Sequence, residues 1–150
     1  MKVKIDDKDL MILGALYVDA RKRLAELSNV VGISITAVRN RITKLIRHRI
    51  ITGFYIDVDF SKLGYGVHAL SGAKIEPRFR EEIVKSLLAS KKVLNVYEVT
   101  GDFDLLIEII AKDIDDLRKF LTVDIFRIPG VKKTNTMIIL KKYKRRSLPI

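Results

Sequence analysis

Cysteine, tryptophan and glutamine are absent from this 150-residue chain, and it has only two histidines and three prolines. Without cysteine there is no disulfide framework, no thiolate zinc site and no cysteine nucleophile. His48 and His68 alone make a poor metal centre, so neither a metal nor a cofactor is expected. No apolar run approaches the roughly 18 residues of a membrane span. The longest, Leu105 to Ala111, is interrupted by Glu108. The opening residues Met1-Lys2-Val3-Lys4-Ile5-Asp6-Asp7 lack the apolar stretch of a secretion signal. The expectation is a cytoplasmic protein with no membrane partner.

What is present is a foldable composition, 48% hydrophobic, and an uneven charge of +11. Residues 1–53 carry a net charge of +6, residues 54–140 are neutral, and the last ten residues carry +5. A basic block, a neutral block and a basic tail (Lys141-Lys142-Tyr143-Lys144-Arg145-Arg146) predict a polyanion-binding N-terminal module joined to a module that binds no polyanion. Twenty isoleucines and no glutamine fit a heat-adapted source.

The N-terminal module reads as three helices. The first spans about Asp6 to Ala20, with Leu10, Leu13, Leu16 and Tyr17 at helical spacing. The second spans Leu24 to Val31 and ends at Gly32. Ser34 then caps a third helix running from Ile35 to about Arg49. A short helix, a glycine turn and a longer helix form a helix-turn-helix. Along the third helix Ile35, Val38, Ile42, Leu45 and Ile46 form the stripe expected to face the core. The remaining side presents Thr36, Ala37, Asn40, Thr43, Lys44 and Arg47, flanked by Arg39 and Arg41, and no acidic residue occurs between Glu26 and Asp57. Ala and Thr suit thymine methyls, Asn suits adenine, Arg suits guanine and later basic residues suit phosphate. Ser34, Thr36, Ala37, Arg39, Asn40, Arg41, Lys44 and Arg47 are therefore the expected contacts to double-stranded DNA. Residues 50–59 read as a turn into a strand, and Ser61-Lys62-Leu63-Gly64-Tyr65-Gly66 as a hinge.

From Val67 onward the pattern alternates β-α-β-β-α-β, with strands at Val67–Glu76, Val93–Thr100, Asp104–Ala111 and Val131 to about Lys142. Helices fall at about Arg78–Ser90 and from Asp113 to about Phe126. Both helices should pack on one face of an antiparallel sheet, leaving the other face for a second copy. The fold class is α+β: a winged-type helix-turn-helix over residues 1–53, a linker over 54–66, and a ferredoxin-like domain over 67–150.

The order of short motifs resembles the Lrp/AsnC family, the leucine-responsive or feast/famine regulators, over nearly the whole chain. The likeness is carried by Asp6-x-x-Asp9-x-x-Ile12-Leu13, Leu24-Ala25-Glu26-Leu27, Val31-Gly32-Ile33-Ser34, Val38-x-x-Arg41-Ile42-x-x-Leu45 and Ile50-Ile51-x-Gly53. Leu63-Gly64, Thr100-Gly101-Asp102-Phe103-Asp104 and Ile128-Pro129-Gly130-Val131-x-x-Thr134-x-Thr136 complete it. One departure is His48-Arg49, where the family often has an acidic or small residue followed by Gly. The resemblance implies a non-enzymatic, sequence-specific transcriptional regulator from a heat-adapted, archaeal-like prokaryote. It also implies a homodimer built on the C-terminal sheets that assembles into tetramers, octamers or larger, and a free amino acid as effector. Matching positions place the effector cleft at Glu98, Val99, Thr100, Gly101, Asp102, Phe103 and Asp104, with Thr134, Asn135 and Thr136 of a neighbouring subunit.

Chemistry fits that cleft. A free amino acid needs an acid for its ammonium group, for which Asp102 and Asp104 are candidates. It also needs donors for its carboxylate, which the Gly101 backbone and the hydroxyls of Thr100, Thr134 and Thr136 offer. Taken alone, the same turn reads as an ordinary hairpin. Two other functions remain open at the sequence level: a ligand-independent architectural DNA binder, and an enzyme resembling the tetrapyrrole decarboxylases that share this architecture.

Overall fold

The computed structural model describes residues 4–143 and 147–149. Lys144, Arg145 and Arg146 of the basic tail lie outside the described residues. The chain forms two compact units: residues up to Asp57 together with the described end of the tail, and Val58–Lys142.

The first unit is the helix-turn-helix. Helix α1 (Asp7–Val18) is started by a reciprocal cap in which the Asp6 carboxylate accepts from the Asp9 N–H and Asp9 accepts from the Asp6 N–H. Helix α2 (Leu24–Val31) ends at Gly32, whose φ is +68°, and the Ser28 hydroxyl donates to the Ile33 carbonyl across the turn. Helix α3 (Ile35–Arg47) starts at Ser34, whose hydroxyl accepts from the Ala37 N–H at 3.1 Å. The core is Ile12, Leu27, Val31, Val38 and Leu45, with Leu24, Ile42 and Ile51 packed against it.

Three expectations change here. Ile35 and Ile46 are each 45% exposed, so the buried arc of α3 narrows to Val38, Ile42 and Leu45. In α1 the fully buried positions are Asp9 and Ile12, whereas Leu10 and Tyr17 are exposed. The strand expected within residues 50–59 does not form among the described residues: Phe54, Tyr55 and Ile56 are exposed, and no neighbouring strand offers them a ladder.

The second unit is a four-stranded antiparallel sheet in the order β2-β3-β1-β4, made of β1 (Val67–Ile75), β2 (Val93–Glu98), β3 (Leu105–Ala111) and β4 (Val131–Ile138). Helices α4 (Arg80–Leu88) and α5 (Ile114–Lys119) cover one face, and α5 runs on into a wider π turn over Phe120–Ile125. Alternation along the strands sends Val67, Ala69, Ala73 and Ile75 of β1 and Leu105, Ile107 and Ile109 of β3 into the helix-covered core. Ile83, Leu87, Leu117, Phe120 and Ile125 meet them from the helical side. The strand residues between them, His68, Leu70, Leu106, Glu108, Ile110 and Met137, line the opposite face, as the antiparallel register requires. His68 Nε2 and Glu108 Oε1 pair there at 2.8 Å, and Asn95 donates to the second Glu108 oxygen.

Candidate DNA interface and effector loop

The N-terminal half of α3 projects Thr36, Arg39 and Asn40 into solvent, with Ala37 half-buried beneath them and Thr43 and Arg47 exposed further along. Ser34 spends its hydroxyl on the helix cap. Arg39, Asn40 and Arg47 have no hydrogen-bond or ion-pair partner among the described residues. This is a short polar and basic ridge of the size a major groove admits.

Arg41 and Lys44 do not belong to that ridge. The Arg41 guanidinium lies 2.7 Å from Asp6 and 2.7 Å from Asp9, and Lys44 Nζ lies 3.0 Å from Asp9 and 2.9 Å from the Lys4 carbonyl. Both side chains turn back toward the start of α1, where two carboxylates compete successfully with solvent for them. The bonds from Arg41 hold the Asp6 carboxyl below its ordinary range. Burial pushes Asp9 upward, but the hydrogen bonds from Arg41 and Lys44 prevail and hold it below the ordinary range as well. Both were expected as DNA contacts; in this structure each is engaged by carboxylates of its own chain. The available signal was the acidic pair Asp6 and Asp9, which matches the basic pair Arg41 and Lys44 in spacing.

At the far end of the second unit, residues 99–104 close the β2–β3 hairpin through a bond from the Val99 N–H to the Asp104 carbonyl. Gly101 sits at φ +108° with open space where a Cβ would be, so backbone conformation and not crowding requires glycine there. Phe103 folds back over Gly72 so closely that a Cβ on Gly72 would stand 2.5 Å from its ring.

The expected acids separate into three environments. Asp104 accepts the Ile75 N–H at 2.9 Å and approaches Lys74 at 3.4 Å; the backbone bond holds its carboxyl below the usual range. Glu98 pairs with Arg80 at 2.8 Å. Asp102 alone is exposed and without a partner among the described residues. Thr136 bonds the Ser71 hydroxyl at 2.8 Å and shares its face of the sheet with Thr134, whereas Asn135 lies opposite Gly72 on the same face as Phe103. The period of two therefore brings Asn135, and not the threonines, beside the hairpin's aromatic ring. A cavity of about 540 Å³ in this unit is lined from Ser86 to Ile128, and no residue of the 99–104 hairpin contributes to it.

Comparison with known proteins assigns a family to each of the two units. The AsnC-type helix-turn-helix domain matches residues 5–46, and the Lrp/AsnC ligand binding domain matches residues 69–149. The chain belongs to the Lrp/AsnC family. Within that family it is 35% identical over 151 residues to the HTH-type transcriptional regulator FL11 of Pyrococcus abyssi, covering 100% of this chain and 99% of FL11. The structure of Escherichia coli AsnC superposes with a TM-score of 0.85 at 31% identity, over 97% of this chain and 99% of AsnC. A transcriptional regulator of Neisseria meningitidis, solved in complex with L-Met, shares the fold with a TM-score of 0.90 at 24% identity over 97% of each chain. The Lrp/AsnC assignment accounts for a helix-turn-helix and a ligand-binding sheet domain in one chain, and no helix among the described residues is long and apolar enough to cross a membrane.

Proposed function

We propose that this Lrp/AsnC chain is a sequence-specific regulator that reads duplex DNA with the outer ridge of α3 and whose assembly and DNA affinity respond to a free amino acid. The observation carrying the DNA reading is the unpartnered trio Arg39, Asn40 and Arg47 on a helix that contains no acid. Base-reading falls to Thr36, Ala37 and Asn40 in the first turns, and phosphate contact to Arg39 and Arg47. Two copies joined through the open sheet face of Leu70, Leu106, Ile110 and Met137 would present two such ridges to successive half-sites. Further association of dimers would complete the effector cleft.

At the effector loop, Asp102 is the acid for the ammonium group, because Asp104 and Glu98 already serve partners within the chain. The Gly101 turn offers backbone donors to the carboxylate, and Phe103 and Asn135 lie beside it. The L-Met complex of the Neisseria regulator supports an amino acid as the ligand class.

The test has two arms. A duplex selected from a random library should bind at least ~10³-fold more tightly than random DNA at fixed salt. A thermal-shift screen of the twenty amino acids should then reveal at least one that raises the melting temperature, as a native-state ligand must. Equal affinity for selected and random duplex would indicate the architectural DNA binder instead. Of the two histidines available to an enzyme, His68 is paired with Glu108 on the open sheet face.

A further inference from the structure

Helix α3 carries four basic residues, and of these Arg39 and Arg47 reach outward without a partner among the described residues. Arg41 and Lys44 converge on Asp9, whose side chain is fully buried, and Arg41 also takes both oxygens of Asp6 at 2.7 and 2.8 Å. Two carboxylates meet two cations, so the cluster is locally neutral. A phosphate approaching from solvent cannot take over these cations cheaply. Leaving a buried carboxylate without its counter-charges costs more than a solvent-facing ion pair returns.

The cluster also has a geometric effect. Arg41 and Lys44 are three residues apart on one edge of α3, and both anchor to the first turn of α1. They fix the rotation of α3 about its own axis, and that rotation decides in which direction the ridge of Thr36, Asn40, Thr43 and Arg47 points. The capping box places Asp9 by its own backbone bonds, so the anchor is itself rigid.

We infer that Asp9 is a specificity-determining positioning residue: it never meets DNA, but it withholds Arg41 and Lys44 from phosphate and holds the reading ridge in register. The inference rests on the proposed DNA reading by α3.

The experiment measures binding of the full chain to the selected and to a random duplex between 50 and 200 mM salt, by fluorescence anisotropy, about the range over which phosphate contacts show. The proteins are wild type, Lys44→Met and Asp9→Asn, each checked for cooperative melting. Lys44→Met should leave the salt slope on both duplexes unchanged and weaken only the selected one, by about tenfold, the scale of a partly lost base contact. Asp9→Asn should release Lys44, and leave Arg41 held by Asp6 alone: binding to random DNA tightens, its salt slope steepens by about 0.9 or more, and the ratio of selected to random affinity falls. A slope that drops by about 0.9 on both duplexes in Lys44→Met would make Lys44 a phosphate ligand and overturn the inference. An Asp9→Asn chain whose discrimination matches wild type would overturn it equally. Where Asp9→Asn fails to fold, Arg41→Gln takes its place beside Lys44→Met, with the same unchanged slope expected. A wild-type chain that binds no duplex in a salt-dependent way sinks the DNA reading itself, a separate result.

Discussion

Asp104 accepts a hydrogen bond from the backbone N–H of Ile75 at 2.9 Å, tying the β2–β3 hairpin to the end of β1. A carboxylate in that position braces the loop. Asp102, two residues earlier, has no partner among the described residues and is the acid proposed above for the ammonium group. Asp102→Asn should weaken the best amino acid of the screen by tenfold or more, roughly the worth of one charge-assisted hydrogen bond, and leave the melting temperature unchanged. Asp104→Ala should lower the melting temperature and weaken the effector as a consequence. Calorimetric titration alongside thermal melts separates the two. An effector affinity that survives in Asp102→Asn would return the role to Asp104.

Acid stability should follow the paired aspartates. Asp6 is held below the ordinary carboxylate range chiefly by its bond from Arg41, and Asp116 chiefly by its bond from Lys92. Asp9 remains below it despite burial. Each of these groups is more acidic folded than unfolded, so its contribution to stability is complete above the unfolded value of ~3.9 and is lost as pH falls through the lower folded value. Urea midpoints should therefore be flat from about pH 5 to neutral and fall steeply below about pH 4. A midpoint that already declines between pH 7 and 5 would overturn this account, because none of these aspartates takes up a proton there.

The sheet unit was legible because its signals are redundant. Pro77, the Gly101-Asp102 turn, the Asp113 cap and Pro129-Gly130 each punctuate the chain where the structure changes element. Strands buried on one face alternate cleanly. In α1 apolar residues occupy almost every position from Leu10 to Val18, so no phase stands out, and the burial of Asp9 and Ile12 is set by which side α2 and α3 cover. The ion pairs of Arg41 and Lys44 with α1 were not legible, because composition records that a charge is present and not which charge it faces. That fact depends on α1 and α3 meeting across more than 30 residues of chain. The same limit applied to the effector loop, where three acids in sequence have three different neighbours.

The unusual His48-Arg49 end of the reading helix has a physical counterpart. Arg49 adopts φ +55°, the only positive φ at a non-glycine residue among those described. A side chain in that region costs about 1–2 kcal/mol, and glycine gives back part of the gain through a freer unfolded chain. Arg49→Gly should therefore stabilise the helix-turn-helix by roughly 0.5–1 kcal/mol, read from the midpoint of chemical denaturation. A destabilised variant would mean that the Arg49 side chain supplies a compensating contact.

Gly72 and Phe103 form a tight pair across β1 and the hairpin. A methyl group on Gly72 would stand 2.5 Å from the Phe103 ring, so the ring must leave its seat in Gly72→Ala. Overpacking of this kind costs about 1–3 kcal/mol, and here it also displaces the loop that carries Asp102. In a Phe103→Ala background the same substitution should cost little, since the atoms it strikes are gone. Thermal melts of the four proteins of this cycle check the coupling, and an additive cycle would show that the methyl group meets something else.

Asn40 and Arg47 lie on one ridge of α3, two turns apart, and should differ in what they read. Asn40 sits in the N-terminal half of α3, the half proposed to enter the groove, where an Asn amide can pair with an adenine edge through two hydrogen bonds. Asn40→Ala should cost about 1–3 kcal/mol on the selected duplex and nothing on random DNA, with an unchanged salt slope. Arg47 is in the last turn of α3, which in the proposed docking lies over the phosphate backbone. Arg47→Ala should weaken both duplexes alike and reduce the salt slope by about 0.9. The contrast follows from position along one helix, and titrations of both variants on both duplexes test it. Equal losses on selected and random DNA for Asn40→Ala would move Asn40 to the phosphate backbone and leave Thr36 and Ala37 as the base-facing residues.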